Sequence, residues 1–322
     1  MKILITGGLG FIGGRLGIHL SKNSHEIVLG TRRNLNSPVW LPNVKMAVID
    51  WESDESLIKA CLGADLVIHA AGMNAKDCEL DPEGALNFNA RATAKLLAAA
   101  ISSDVKTFFY LSSAHVYSNP LQGVINENTL PSNSHPYATS HLKGERYAQK
   151  TKEKGLINST VLRLSNAYGT PASPEVNCWM LLVNDLCMQA VTSKQLRLTT
   201  SGIAQRNFIT LSDVCAVISE LIHKSESQTL PLMLNIGNAY SSTVYEMAVL
   251  IQERCMEVLG FSPEIIFDSG DSDQVNESLD FKSLYSYLYK NSIINNRHKE
   301  IDELLNFCKK SFVNNGSRIR VK

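Results

Sequence analysis

Residues 2–14 read KILITGGLGFIGG, and the order of residue types in this stretch decides the fold. Three consecutive aliphatic residues, Ile3 to Ile5, run into a turn in which Gly7, Gly10 and Gly13 stand at GxxGxxG spacing. Glycines at such positions let a strand-to-helix turn fold back tightly and let the backbone approach a pyrophosphate closely. The phosphate charge then rests on free N–H groups at the helix start, here those around Phe11, Ile12 and Gly13. Spacing alone also fits an ordinary glycine-rich βα turn. The strand–turn–helix context at the head of a βα alternation favours a dinucleotide site.

Beyond this turn, EIVLG (26–30), VKMAVI (44–49), DLVIHAA (65–71), KTFFYLSS (106–113) and STVLRLS (159–165) read as further strands. They are continuously apolar rather than alternating, the pattern of parallel strands covered on both faces. Segments with helical character separate them, at 11–23, 53–62 and 84–103, and another starts near Tyr137. The expected fold class is α/β, a doubly wound, Rossmann-like parallel sheet over residues 1–165. Past Asn166 the pattern loosens. Helices are expected at 178–193 and 241–259, and short strands at QRNFIT and MLNIGN. These predict a smaller, partly discontinuous substrate lobe over 166–313, with some segments returning to the first domain, and a flexible tail over 314–322.

Composition narrows the partners. The 322 residues are 44% hydrophobic and 19% charged, with 31 Lys plus Arg against 31 Asp plus Glu, so no net field recruits nucleic acid or an anionic membrane. No apolar run reaches membrane-spanning length, and the three aliphatic residues before Gly7 are too few for a signal-peptide core. The seven cysteines form no CxxC pair, which predicts a reducing, cytoplasmic setting and no metal site.

The second strand ends in TRRN, where NAD-binding folds usually carry a carboxylate for the ribose hydroxyls. Arg32 and Arg33 instead offer guanidinium groups suited to a phosphate, an expectation of NADP(H) in preference to NAD(H). Two solvated surface arginines would give the same letters. Asp50 and Trp51 follow the third strand and are candidates for the adenine side, while Ala70, Ala71 and Gly72 leave room for a ribose.

The series TGGLGFIGG, HAAG, NARATAKLL, LSSAHVY, PYATSHLKGE, RLSNAYGTP, QRNFITLSDV and LNIGNAYSST resembles, in order, the extended short-chain dehydrogenase/reductase family of NAD(P)-dependent sugar-nucleotide epimerases, dehydratases and reductases. The resemblance covers most of the chain. It implies that Ser113 and Tyr137 are catalytic, the serine holding the reacting oxygen and the tyrosine exchanging its proton. It implies that Asn166 and Arg206 bind the nucleotide diphosphate, with Asn177 a further substrate contact, and that two copies pair through 84–103 and 137–153.

One position departs from the pattern. The family lysine four residues after the tyrosine binds the nicotinamide ribose and lowers the phenol's pKa; here it is His141. Lys143 lies two residues further on, about 120° around the helix from the required face. A histidine reaches a ribose hydroxyl but is largely neutral near pH 7, so it activates the tyrosine less. An altered Tyr–His enzyme, an enzyme with another base near His115 or Cys178, and a nucleotide-binding protein without redox activity all remain open on the sequence. The Asp–Glu pair of the family's 4,6-dehydratases is replaced by Ala114 and His115, which argues against water elimination. Reduction of a keto-sugar is slightly preferred on the expectation of NADP(H), with 4-epimerisation the alternative.

Overall fold

The computed structural model describes residues 1–268, 278–285 and 296–314. Residues 315–322, nearly all of the tail expected over 314–322, lie outside the described residues.

Seven strands form one sheet: β1 (Lys2–Thr6), β2 (Glu26–Thr31), β3 (Lys45–Val48), β4 (Leu66–His69), β5 (Thr107–Ser113), β6 (Asn158–Leu164) and β7 (Met233–Ile236). Their order is β7-β6-β5-β4-β1-β2-β3, and every neighbouring pair is parallel. The chain winds outward from β1 to β3, then returns to β4 on the other side of β1. The crevice beyond the carboxyl ends of β1 and β4 is therefore the topological switch point, where ligands bind in such sheets.

The described residues also form eight short strands paired in four two-stranded sheets, and ten α-helices: α1 (Phe11–Leu20), α2 (Asp54–Cys61), α3 (Ala75–Leu80), α4 (Pro82–Leu86), α5 (Ala92–Ser102), α6 (Pro136–Glu153), α7 (Leu182–Ser193), α8 (Leu211–Ser225), α9 (Val244–Leu259) and α10 (Arg297–Cys308). Successive strand residues point to opposite faces, so a strand covered on both must be apolar at every position. Ile3 and Ile5 of β1 accordingly pack with Leu16 and Leu20 of α1 and with Val214, Ile218 and Leu221 of α8. Leu4, between them, joins Leu57 of α2, Leu96 of α5 and Ala148 of α6 on the opposite face. A third apolar cluster, with Leu186 of α7, Met247 and Ile251 of α9 and Leu304 of α10, is the core of the smaller lobe.

Several boundaries differ from expectation. MLNIGN does not stay in the smaller lobe; Met233–Ile236 extends the main sheet beside β6. The helix expected over 84–103 is interrupted by a π-helical turn at Asn87–Arg91. The helix expected from 178 begins only at Leu182. That expected from 241 begins at Val244, fixed by a reciprocal capping box between Thr243 and Glu246. Thr210 caps α8, accepting from the N–H of Asp213 in the helix's first turn.

Two buried ionic clusters tie the layers together. Glu145 of α6 receives Arg163 Nε at 2.9 Å and Nη2 at 2.5 Å, and the Ser112 hydroxyl at 2.6 Å. Glu300 of α10 accepts Arg15 Nη1 from α1 at 3.1 Å, the Thr170 N–H at 3.1 Å and the Ser212 N–H at 3.1 Å. The second cluster fastens the loop after β6 between the nucleotide-side helix and the smaller lobe. Gly169, at φ +143°, is the residue that lets the loop lie against the Glu300 carboxyl.

Candidate active site

The glycine turn has the shape a dinucleotide requires. Gly7 adopts φ +65°, and a Cβ there would stand 2.8 Å from the Ala70 carbonyl oxygen and 2.9 Å from Ala71 Cα. The turn and the β4 exit are thus pressed together in a way only glycine permits. Gly10 caps α1 without a side chain and donates its N–H to the Gly7 carbonyl at 2.8 Å. Gly13 is packed on the Gly7 carbonyl, so a side chain there would displace the turn. The N–H groups of the first turn of α1 remain for an anion. Gly8, which the glycine spacing did not single out, is equally constrained: its Cβ would fall 2.8 Å from that of Leu29.

The far side of the crevice is aromatic. Arg32 lies 5.5 Å over the Phe88 ring, Phe88 meets Trp51 edge-on at 5.4 Å, and Trp51 continues to His69 at 5.7 Å. Arg32 therefore lies over the aromatic wall, and both it and Arg33 are exposed. Exposed Asp50 accepts the Glu52 N–H and opens the turn that places Trp51.

At the centre, Tyr137, Ser113 and His141 converge. Tyr137 is partly buried in the first turn of α6, and Ser113 ends β5, its hydroxyl accepting the His115 N–H at 3.2 Å and lying near the phenol. Burial raises the Tyr137 pKa; the nearby Ser113 side chain opposes that rise. The His141 and Tyr137 rings meet edge-on with centroids 4.5 Å apart. His141 is 6% exposed, its Nδ1 is 3.0 Å from the Tyr110 hydroxyl, and its Cε1–Nε2 edge faces Gly72. Burial lowers its pKa to about 4, so it carries no charge at neutral pH. Lys143 is exposed on another side of α6 and does not join the group. No residue of this trio supplies the cation that the family lysine would.

A buried polar chain runs beneath the trio. The Thr93 hydroxyl donates to the Asn89 carbonyl at 2.8 Å and so accepts from His69 Nε2 at 3.0 Å; His69 Nδ1 then accepts from the Thr6 hydroxyl at 2.7 Å. Burial, with His141 nearby, holds the His69 pKa to about 3. Both histidines are neutral when folded and titrate near 6.5 when unfolded. Their depressed folded values make stability fall as pH drops below 6.5 towards 4, with a steepness of about 1.4 kcal/mol per pH unit for each group. Urea unfolding across that window measures the slope, and His141→Gln is expected to remove one histidine's share.

The substrate side is built on the loop after β6. Asn166 donates its amide to the Asn207 carbonyl at 2.9 Å and holds His115 Nε2 at 3.2 Å from its side-chain oxygen. His115 is also close enough to Arg206 for that cation, after burial, to lower its pKa. Asn166 and Arg206 thus come together around His115, whereas Asn177 is exposed on the loop before α7. Asn207 is fully buried and structural, donating to the carbonyls of Asn238 at 2.9 Å and Tyr240 at 3.3 Å. Burial pushes the Cys178 thiol up to about 12, which removes it as a base. Three members of this neighbourhood were not singled out as site residues by sequence reasoning: Tyr110, Asn89 and Phe88. The first lies in an apolar strand and the others in the π-helical turn Asn87–Arg91, which the sequence reads as part of one continuous helix. Among the described residues no group of three or more His, Cys, Asp or Glu is placed to hold a metal ion. No described helix is long and apolar enough to cross a membrane.

A switch-point crevice with a glycine turn on one wall and a Ser–Tyr pair on the other defines a nucleotide-dependent oxidoreductase class. The chain belongs to the NAD dependent epimerase/dehydratase family, whose model matches residues 3–237. It is an enzyme of the extended short-chain class, the NAD(P)-dependent sugar-nucleotide epimerases and dehydratases. Among similar proteins is the Bacillus subtilis (strain 168) "uncharacterized UDP-glucose epimerase YtcB", 28% identical over 79% of this chain and 82% of that one. Among solved structures, MoeE5 in complex with UDP-glucose and NAD has a TM-score of 0.76 at 22% identity, covering 97% of this chain and 99% of that one. UDP-glucuronic acid 4-epimerase from Bacillus cereus, in complex with UDP-glucuronic acid and NAD, has a TM-score of 0.75 at 21% identity, covering 96% and 99%. These complexes overturn the preference for NADP(H) over NAD(H): both hold NAD. At β2, exposed Arg32 lies over the Phe88 ring, an aromatic contact where the expectation had placed a phosphate contact.

Proposed function

We propose that this enzyme uses NAD to act at a ring carbon of a nucleotide-activated sugar, oxidising it and then restoring it with inverted configuration. The carrying observation is the Ser113–Tyr137 hydroxyl pair set beside His141 and Gly72 at the switch-point crevice. Gly7, Gly10, Phe11, Ile12 and Gly13 would hold the pyrophosphate, and Asp50, Trp51 and Arg32 the adenosine side, with Ala70, Ala71 and Gly72 under the ribose. Bound there, NAD supplies the acceptance and return of hydride. Tyr137 takes the proton from the sugar hydroxyl as the carbon is oxidised and gives it back on reduction. Ser113 donates to the reacting oxygen and fixes its position. His141 orients the ribose as a neutral hydrogen-bonding group. Asn166 and Arg206, together around His115, would contact the nucleotide diphosphate, with Asn177 on the loop before α7 a further substrate contact, and two copies would pair through α5 and α6.

Epimerisation is favoured over net reduction because the tilt towards reduction rested on NADP(H). Water elimination lacks its acid and base: Ala114 is fully buried and His115 is engaged with Asn166. The test is turnover of UDP- and dTDP-hexoses with NAD as a function of pH. Tyr137 acts as a base only when ionised, and burial raises its pKa above 10. Turnover should therefore rise about tenfold per pH unit on the approach to that value. His141 titrates near 4, so the profile should carry no inflection at the ordinary imidazole value of 6.5. A profile that is flat in alkali, or that breaks at that value, contradicts the assignment.

A further inference from the structure

The imidazole of His141 meets the Tyr137 ring and the Tyr110 hydroxyl, and its Cε1–Nε2 edge faces Gly72. Which ring nitrogen carries the proton decides what it can offer a ribose. Tyr110 is a buried residue of β5, 1% exposed, whose hydroxyl has two partners within reach. These are His141 Nδ1 at 3.0 Å and the Asn89 carbonyl at 3.3 Å. The Asn89 carbonyl already accepts the Thr93 hydroxyl at 2.8 Å, and the His141 contact is the shorter of the two left to Tyr110. A phenol has one proton to give. Given to Nδ1, it makes that nitrogen an acceptor and leaves the imidazole proton on Nε2, the edge that faces Gly72.

We infer that Tyr110 is a positioning residue that locks His141 in the Nε2–H form, presenting a neutral donor above Gly72 to a ribose hydroxyl. This rests on the cofactor placement in the proposed function and adds the residue that sets the polarity of the contact. The Asn89 side chain braces the same group from the helix: its amide donates to Ser140 at 3.0 Å, and its oxygen accepts the Met73 N–H at 2.8 Å. Gly144 makes room for the arrangement, since any side chain there would collide with the Tyr110 hydroxyl. Tyr110 and His141 together occupy the place of one lysine, keeping its hydrogen bond and giving up its charge.

The test is nitrogen NMR of the full-length protein labelled at histidine, with the His141 signals assigned from His141→Gln. Wild type is expected to show the Nε2–H tautomer at neutral pH. Tyr110→Phe is expected to lose that single form, populating the Nδ1–H tautomer, and to weaken NAD binding by calorimetry about three- to tenfold, the worth of one net hydrogen bond. An Nδ1–H or doubly protonated His141 in wild type overturns the inference, as does Tyr110→Phe with tautomer and affinity unchanged. If Tyr110→Phe does not fold, the wild-type spectrum still decides. A wild type that fails to bind NAD contradicts the proposed function, while the tautomer is read separately from that outcome.

Discussion

Tyr137→Phe is expected to lower kcat on a nucleotide sugar by about 10²–10⁴-fold, the range for loss of a positioned acid–base group, while NAD affinity stays within a few-fold of wild type. The phenyl ring keeps the edge-on contact with His141, centroids 4.5 Å apart, so the wall of the site is retained. Only the hydroxyl beside Ser113 is removed. Effects on kcat and on kcat/KM should be similar, because proton transfer occurs in the transition state and not in substrate binding. Parallel measurement of turnover and of NAD binding checks the separation. Equal turnover in the two proteins would remove Tyr137 from the chemistry.

Glu145→Ala is expected to destabilise the fold by about 3–5 kcal/mol, the cost of leaving a buried charge without its partner. Glu145 and Arg163 are 1% and 3% exposed, and the carboxylate holds the guanidinium through two bonds while also accepting Ser112. The Arg163 guanidinium also stacks over the Tyr117 ring at 4.5 Å, and Tyr117 donates to Asn235 Oδ1 at 2.7 Å, so the loss spreads from α6 towards the β7 edge. Replacing both partners, as in Glu145→Leu with Arg163→Met, should recover much of the loss, since apolar pairs of similar volume fill such sites without desolvation cost. Urea unfolding of the single and double variants measures both. Equal destabilisation by the two would show that packing, not charge, dominates.

The parallel sheet was legible because its signal is local. The first strands are nearly continuous apolar runs, and Ile3, Leu4 and Ile5 are buried alternately against opposite faces. The glycine turn was legible for the same reason, since Gly7, Gly10 and Gly13 each meet a steric demand within the turn or against Ala70. The exchange at His141 was visible as a departure from the Tyr–Lys spacing. What surrounds it was not. Tyr110 reads as one more β5 aromatic, and its hydroxyl acquires meaning only when α6 packs across β5. Arg32 misled for a related reason: a guanidinium suits a phosphate or an aromatic face, and Phe88, which decides between them, lies 56 positions away in the sequence. The edge strand Met233–Ile236 looked peripheral because its short, mixed run gives no hint that it pairs with Val161–Leu164.

In the proposed reaction hydride leaves a sugar carbon under the control of Tyr137, with a neutral His141 beside it. The most direct test mixes NAD-loaded enzyme with UDP-hexoses in a stopped-flow instrument and follows the near-ultraviolet absorbance of reduced nicotinamide. Wild type should show a transient rise that decays as the inverted sugar accumulates, slower at lower pH, and Tyr137→Phe should show almost none. NAD and sugar nucleotide that bind tightly with no rise in the wild type, at any pH the fold tolerates, would contradict it and leave a nucleotide-binding protein without redox chemistry.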